Sequence, residues 1–122
     1  MAWDKYAAIR HVRDRAYSQS HHKCELFVKE AIIAGGVDIY PTPSAKDMGK
    51  ALIKAGFYEV YGEPVAGDVA VIQAIPGHPD GHACIYDGQI WISDFRQKSL
   101  YPGESYRKAQ PAFKLYRHYW DE

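Results

Sequence analysis

The stretch "DGHACIYDGQIWISDF", residues 80–95, decides how the rest of this sequence is read. Two short runs rich in β-branched and aromatic residues flank Asp87-Gly88, a dipeptide favoured at the centre of a tight hairpin turn. The stretch is therefore expected to form an antiparallel hairpin. "GDVAVIQAI" before it and "AFKLYRHYW" after it have the same character, so a meander of four strands is expected after Gly62.

Upstream the period changes to that of a helix. Tyr6, Ile9, Val12 and Ala16 recur every three or four residues and predict an amphipathic first helix. "SQSHH" breaks the pattern and offers Ser18 and Ser20 as caps. In "HKCELFVKEAIIAGG", Cys24, Phe27, Val28 and Ala31 share one face, and Gly35-Gly36 ends the helix. "YPTPSAKDMGKALIKAGF" predicts a proline-bounded loop and a short helix, with Ser44 as N-cap and Asp47 in capping-box position. Helices followed by an antiparallel meander give an α+β class, the helices packed on one face of the sheet. At 122 residues the chain is expected to be a single domain, helical over about 1–60 and sheet over about 61–122.

Composition narrows the function. The net charge is zero, which gives no electrostatic footprint for nucleic acid or an anionic membrane. Arg96, Arg107, Lys108 and Arg117 alternate with tyrosines in the C-terminal stretch, but no recognition motif accompanies them, and a solvated strand edge is the expectation. No run has the length of a membrane span, and the N-terminus lacks the apolar core of a signal peptide. A protein made in the cytoplasm is expected, reaching any outer compartment by a route other than a cleaved signal. Two cysteines are too few for a disulfide scaffold or a four-thiolate zinc site.

Three residues carry the chemistry. Cys24 falls in the first turn of its helix, where unpaired N–H groups and the helix dipole favour a thiolate. Taken alone, it reads as well as a buried apolar residue. His82 opens a strand directly after Gly81, placed to project its ring at a neighbouring helix end, although a structural histidine would look the same. Asp94 closes the next strand, so the hairpin brings it beside His82, where a carboxylate fixes an imidazole tautomer. A metal reading of His78, Asp80 and His82 fails because Pro79 and Gly81 make a loop and no fourth ligand is evident. No metal and no cofactor are expected.

With these residues in place, the chain resembles the NlpC-like and CHAP-like peptidoglycan hydrolases, a branch of the papain-like cysteine peptidases. The resemblance rests on "HHKCELFVKEAI", "VAGDVAVIQ" and "DGHACIYDGQIWISDF", in that order. It implies a papain-like core and a cysteine amidase or endopeptidase acting on peptide stems or crosslinks of peptidoglycan. Residue by residue, it makes Cys24 the nucleophile, His82 the base, Asp94 the orienting third member, and Gly67-Asp68 a structural turn. Relatives often carry His, Asn or Glu at the third position, and small Gly or Ala where this chain has Cys84. Two residues apart on a strand, His82 and Cys84 are expected to share a face. Cys84 is then either a small core residue or the partner of Cys24 in a regulatory disulfide. His22, His78 and Trp91 are the candidate cleft residues, with Tyr86 and Phe95 lining the groove or filling the core.

A lone catalytic domain of this kind implies either an antibacterial effector delivered to the periplasm or cell wall by a secretion machine, or a phage-type lysin released by lysis. The effector is the favoured reading, and it implies an immunity protein as partner of a monomeric enzyme. A cytoplasmic thiol deamidase, acyltransferase or deconjugating protease, and an inactive binding module on the same fold, are the alternatives.

Overall fold

The structure is a computed structural model and describes residues 3–120. Helix α1 spans Lys5–Arg15, α2 spans Cys24–Ala34 and α3 spans Met48–Lys54, the last preceded by a 3-10 turn at Ala45–Asp47. Strands β1 (Phe57–Val60), β2 (Val69–Ile72), β3 (His82–Tyr86), β4 (Trp91–Ile92) and β5 (Phe113–His118) form one sheet in the order β1-β5-β2-β3-β4. Every neighbouring pair is antiparallel. A further helix, α4 (Glu104–Ala109), lies between β4 and β5. Among the described residues no helix is long and apolar enough to cross a membrane.

The α+β class and the one-sided packing of the first helices follow from side-chain parity. Along β2 and β3, Val69, Val71, Ala83 and Ile85 face a core shared with Ile9 and Val12 of α1, Val28 and Ile32 of α2, and Met48 and Leu52 of α3. Ala70, Ile72 and Cys84 face the other way, against a layer built from Trp91, Leu115, Ile75 and Tyr106. Both faces of the central strands are thus covered, and β2 is buried throughout.

Several local expectations are corrected. β1 lies inside the half expected to be helical, and α4 inside the half expected to be sheet. Tyr6 is exposed; Ala8, Ile9 and Val12 form the buried stripe of α1. Neither Ser18 nor Ser20 caps α2, whose N-cap is Lys23 without a side-chain bond. Ser44 Oγ donates to Asp47 Oδ2 (2.7 Å) instead of capping backbone. The β3–β4 connection is a four-residue loop rather than a two-residue turn. Asp87 Oδ1 accepts from the N–H groups of Gln89 and Ile90, and Gly88 takes φ +107. The basic residues of the C-terminal stretch are used within the fold: Arg107 and Lys108 complete the last turn of α4, and Arg96 Nη2 donates to the Arg13 carbonyl (3.1 Å).

One charged pair ties the sheet together. Asp68, at the turn leading into β2, is fully buried and receives Arg117 of β5 through Nε (2.8 Å) and Nη2 (2.9 Å). Its Oδ2 also accepts from the Val65 N–H (2.9 Å). Removing one member of such a pair strands the other charge in the interior. Arg117→Ala is therefore expected to lower unfolding free energy by about 3 kcal/mol. Urea denaturation followed by far-UV circular dichroism checks it, and a loss below about 1 kcal/mol would mark the pair as merely superficial.

Candidate active site

Cys24 and His82 line the same cleft, of about 350 Å³, at one end of the sheet. Cys24 is the first residue of α2, and His82 the first of β3. The strand can start there because of Gly81, held at φ +69. A Cβ at that position would run into the Ile72 carbonyl oxygen and Lys46 Cβ.

The third residue at the ring is not the one the sequence indicates. His82 Nε2 meets Gln97 Oε1 at 2.7 Å, with both side chains buried. The amide orientation of Gln97 is fixed independently, since its Nε2 donates to the carbonyls of Ser99 (3.0 Å) and Leu100 (3.1 Å). Oε1 must then be the acceptor, which puts the His82 proton on Nε2 and leaves the Nδ1 lone pair free to accept a proton.

Asp94 is directed elsewhere. Its Oδ2 accepts from the N–H of His21 (2.7 Å) and of Lys23 (3.0 Å), and its own carbonyl accepts from the Tyr17 N–H (2.7 Å). Between the two donors His22 adopts φ +58, which turns both N–H groups toward one oxygen as in backbone anion nests. The left-handed conformation costs about 1–3 kcal/mol, and two bonds to a charged acceptor, each about 1.5–3 kcal/mol, offset it. Asp94 thus positions the chain that leads into Cys24 rather than the imidazole.

Electrostatics also depart from the expected lowering of the thiol pKa. The backbone N–H groups of Ala83, Glu25 and Cys24 itself favour the thiolate, but burial outweighs them and raises the Cys24 pKa to about 11. Burial also lowers the His82 pKa below its usual value, against the opposing pull of Gln97 and Asp94. The resting pair is therefore thiol and neutral imidazole.

Other candidates separate cleanly. His22 and His78 line the cleft, as does Phe95. Trp91 does not. It packs with Cys84, Ala70 and Leu115, its ring 4.9 Å from that of Tyr86, because its place on β4 turns it into the layer beneath the sheet. Cys84 shares that layer, so strand parity carries it away from α2 while Ala83 faces the helices. Cys24 and Cys84 are both free thiols, so Cys84 takes the place of a small core residue and the alternative bridge between them is not formed. Burial, then the charge of Cys24, push the Cys84 thiol far up. Among the described residues no group of three or more histidine, cysteine or acidic side chains is arranged to hold a metal.

Two residues at the site escaped the sequence reading, Gln97 behind the His82 ring and Tyr106 in the cleft wall. Gln97 lies three residues past Asp94 and is brought back by a tight turn in which the Ser93 N–H donates to the Phe95 carbonyl (2.9 Å). The Gln97 N–H then bonds the Trp91 carbonyl (2.8 Å). An amide one turn beyond a strand end was the available signal. Tyr106, on α4, gave none.

No protein-family model and no curated protein matches the chain. Solved structures do. The crystal structure of the type VI native effector–immunity complex Tae3–Tai3 from Ralstonia pickettii contains a chain 46% identical to this one. It has a TM-score of 0.94, over 96% of this chain and 100% of that one. The selenomethionine form of the complex matches at 48% identity and TM-score 0.88, over 90% and 98% of the two chains. The crystal structure of Ly7917 matches at 18% identity and TM-score 0.57, over 93% of this chain and 62% of that one, a likeness of fold alone. At such identity and coverage, the chain belongs to the family represented in the type VI Tae3–Tai3 effector–immunity complex, as a Tae3- or Tai3-type protein.

Proposed function

We propose that this chain is the effector member of such a pair, a cysteine amidase or endopeptidase that hydrolyses amide bonds in the peptide part of bacterial peptidoglycan. The observation that carries the reading is the Cys24–His82 pair in one cleft, with the imidazole tautomer set by Gln97. The NlpC-like and CHAP-like character of the segments around Cys24, Gly67 and His82 supports the substrate. The effector–immunity context of the similar structures supports action in a recipient's periplasm and an immunity protein as partner.

The mechanism starts from the neutral pair. His82 Nδ1 takes the Cys24 proton as Sγ adds to the substrate carbonyl carbon. Negative charge moves to the carbonyl oxygen, where backbone N–H groups at the start of α2 stabilise it. On collapse the C–N bond breaks, and the His82 imidazolium gives its proton to the leaving amine. Water, deprotonated by His82, then hydrolyses the acyl-enzyme.

Digestion of purified peptidoglycan, with mass spectrometry of the released muropeptides, tests the reading and names the bond. Cys24→Ala and His82→Ala are each expected to slow release at least about a thousandfold. Digestion by either variant at the wild-type rate would sink the mechanism.

The pH profile is a second test. Burial depresses the His82 pKa below 6.5, so the base form persists into mild acid. Activity is present above the depressed value and lost as pH falls through it, as His82 becomes protonated and can no longer accept the thiol proton. The acid limb of kcat/KM is expected to be centred below pH 6.5; one centred higher contradicts the buried neutral base.

Gln97 is a positioning residue and acts through the ring. Gln97→Ala is expected to cut kcat by about ten- to a hundredfold while leaving KM near its wild-type value, whereas Gln97→Asn should recover part of the loss. Unchanged kcat in Gln97→Ala would mean that the ring needs no such partner.

A further inference from the structure

Tyr106 lines the cleft beside Cys24 and His82 but has no part in the chemistry above. It is 4% exposed, packed with Ile72 and Ile75, its ring centroid 6.1 Å from that of His82 and 5.2 Å from that of His78. Its hydroxyl makes no hydrogen bond to any described residue. The oxygen is not among the buried polar atoms left without a partner, so it opens on the cleft, where it can donate to an atom of a bound ligand.

The segment that carries this side chain is tied at its base. Tyr101 Oη donates to the Pro111 carbonyl (2.7 Å) and closes the excursion of which α4 is the middle. The helix is bounded by Gly103 and by Gln110 in the left-handed region (φ +48). The hydroxyl is also within electrostatic reach of the reacting atom. Burial first, then the charges of Cys24 and Asp80, raise the Tyr106 pKa to about 12. The group therefore stays protonated across the working range, and it can meet developing negative charge only as a donor.

We propose that the Tyr106 hydroxyl donates a hydrogen bond to the carbonyl oxygen of the scissile amide as Cys24 Sγ adds to it, serving as a side-chain donor of the oxyanion site. The inference rests on the cysteine-amidase reading. No proton leaves Tyr106. The C–S bond forms while the carbonyl π pair moves to oxygen, the hydroxyl stabilises that charge, and the pair returns when the C–N bond breaks. A preorganised donor acts on the transition state more than on bound substrate, which sets the signature to look for.

Tyr106→Phe removes the hydroxyl and keeps the ring that packs on Ile72 and Ile75. With soluble muropeptides as substrate, kcat is expected to fall by about a hundred- to a thousandfold with KM within about threefold of wild type. Alkylation of Cys24 by iodoacetamide is expected to proceed at the wild-type rate, since the donor does not act on the resting thiol. An unchanged kcat, a loss confined to KM, or slowed alkylation would each overturn the assignment. Cys24→Ala run in parallel separates the two failures. If it is as active as wild type, or if wild type cleaves nothing, the amidase reading fails and this inference with it. If Cys24→Ala is inactive and Tyr106→Phe is fully active, only the role of Tyr106 is lost.

Discussion

One buried carboxylate, about seventy residues away in sequence, holds Cys24, the proposed nucleophile, in place. Asp94, two residues past β4, binds the N–H groups of His21 and Lys23 and thereby fixes the two peptides that lead into α2. That helix begins without a side-chain cap of its own, so the direction in which Cys24 enters the cleft is set by a residue distant in sequence rather than by its neighbours. His22 sits in an unfavourable left-handed conformation because both neighbouring N–H groups turn toward the same oxygen. The strain and the clamp belong together. Without the carboxylate the segment would have no reason to keep that shape.

The pair that results is shaped by burial more than by charge. The helix terminus and three backbone N–H groups pull the Cys24 thiol toward ionisation, yet desolvation prevails and leaves the pKa near 11. At pH 7 roughly one molecule in ten thousand would then hold a free thiolate. Thiolate chemistry in such a site must be coupled to proton transfer, so the tautomer of His82 matters more than its charge. An amide suits that need. Gln97 orients the ring through Oε1 and adds no negative charge, whereas a carboxylate in its place would stabilise imidazolium at rest.

Helix α2 and the β3–β4 hairpin were legible because each rests on local pattern, a 3.6 period closed by Gly35-Gly36 and an Asp-Gly pair, while the Gly-Asp turn before β2 was implied by the family resemblance. What failed depended on tertiary context. β1 follows α3 after only Ala55 and Gly56 and has just one of its four residues buried, so it carries little period. α4 has six residues, too few to display one. Trp91 was misplaced by strand parity, since a one-residue change of face moves a side chain from cleft to core. Asp94 was assigned the right neighbourhood and the wrong partner. A carboxylate there can reach either imidazole or backbone, and only the path of residues 21–23 decides. Gln97 depends on the fold-back at 93–96, which pairs the Gln97 N–H with the Trp91 carbonyl.

Membership in an effector–immunity family leaves two roles open to a chain, and the energetics of the cleft favour one. An inhibitor needs a surface complementary to its target and gains nothing from a strained, polar interior of its own. This chain keeps His82 and Gln97 buried and holds the non-glycine His22 at positive φ, all at one site. Each feature costs stability, and none is required by the sheet or by the helical core that surrounds it. Local rules broken together at one place, in a fold that otherwise obeys them, mark a site maintained for its chemistry. These features support the catalytic role proposed above over an inhibitory one, since the proposed chemistry would use the thiol and the fixed tautomer together.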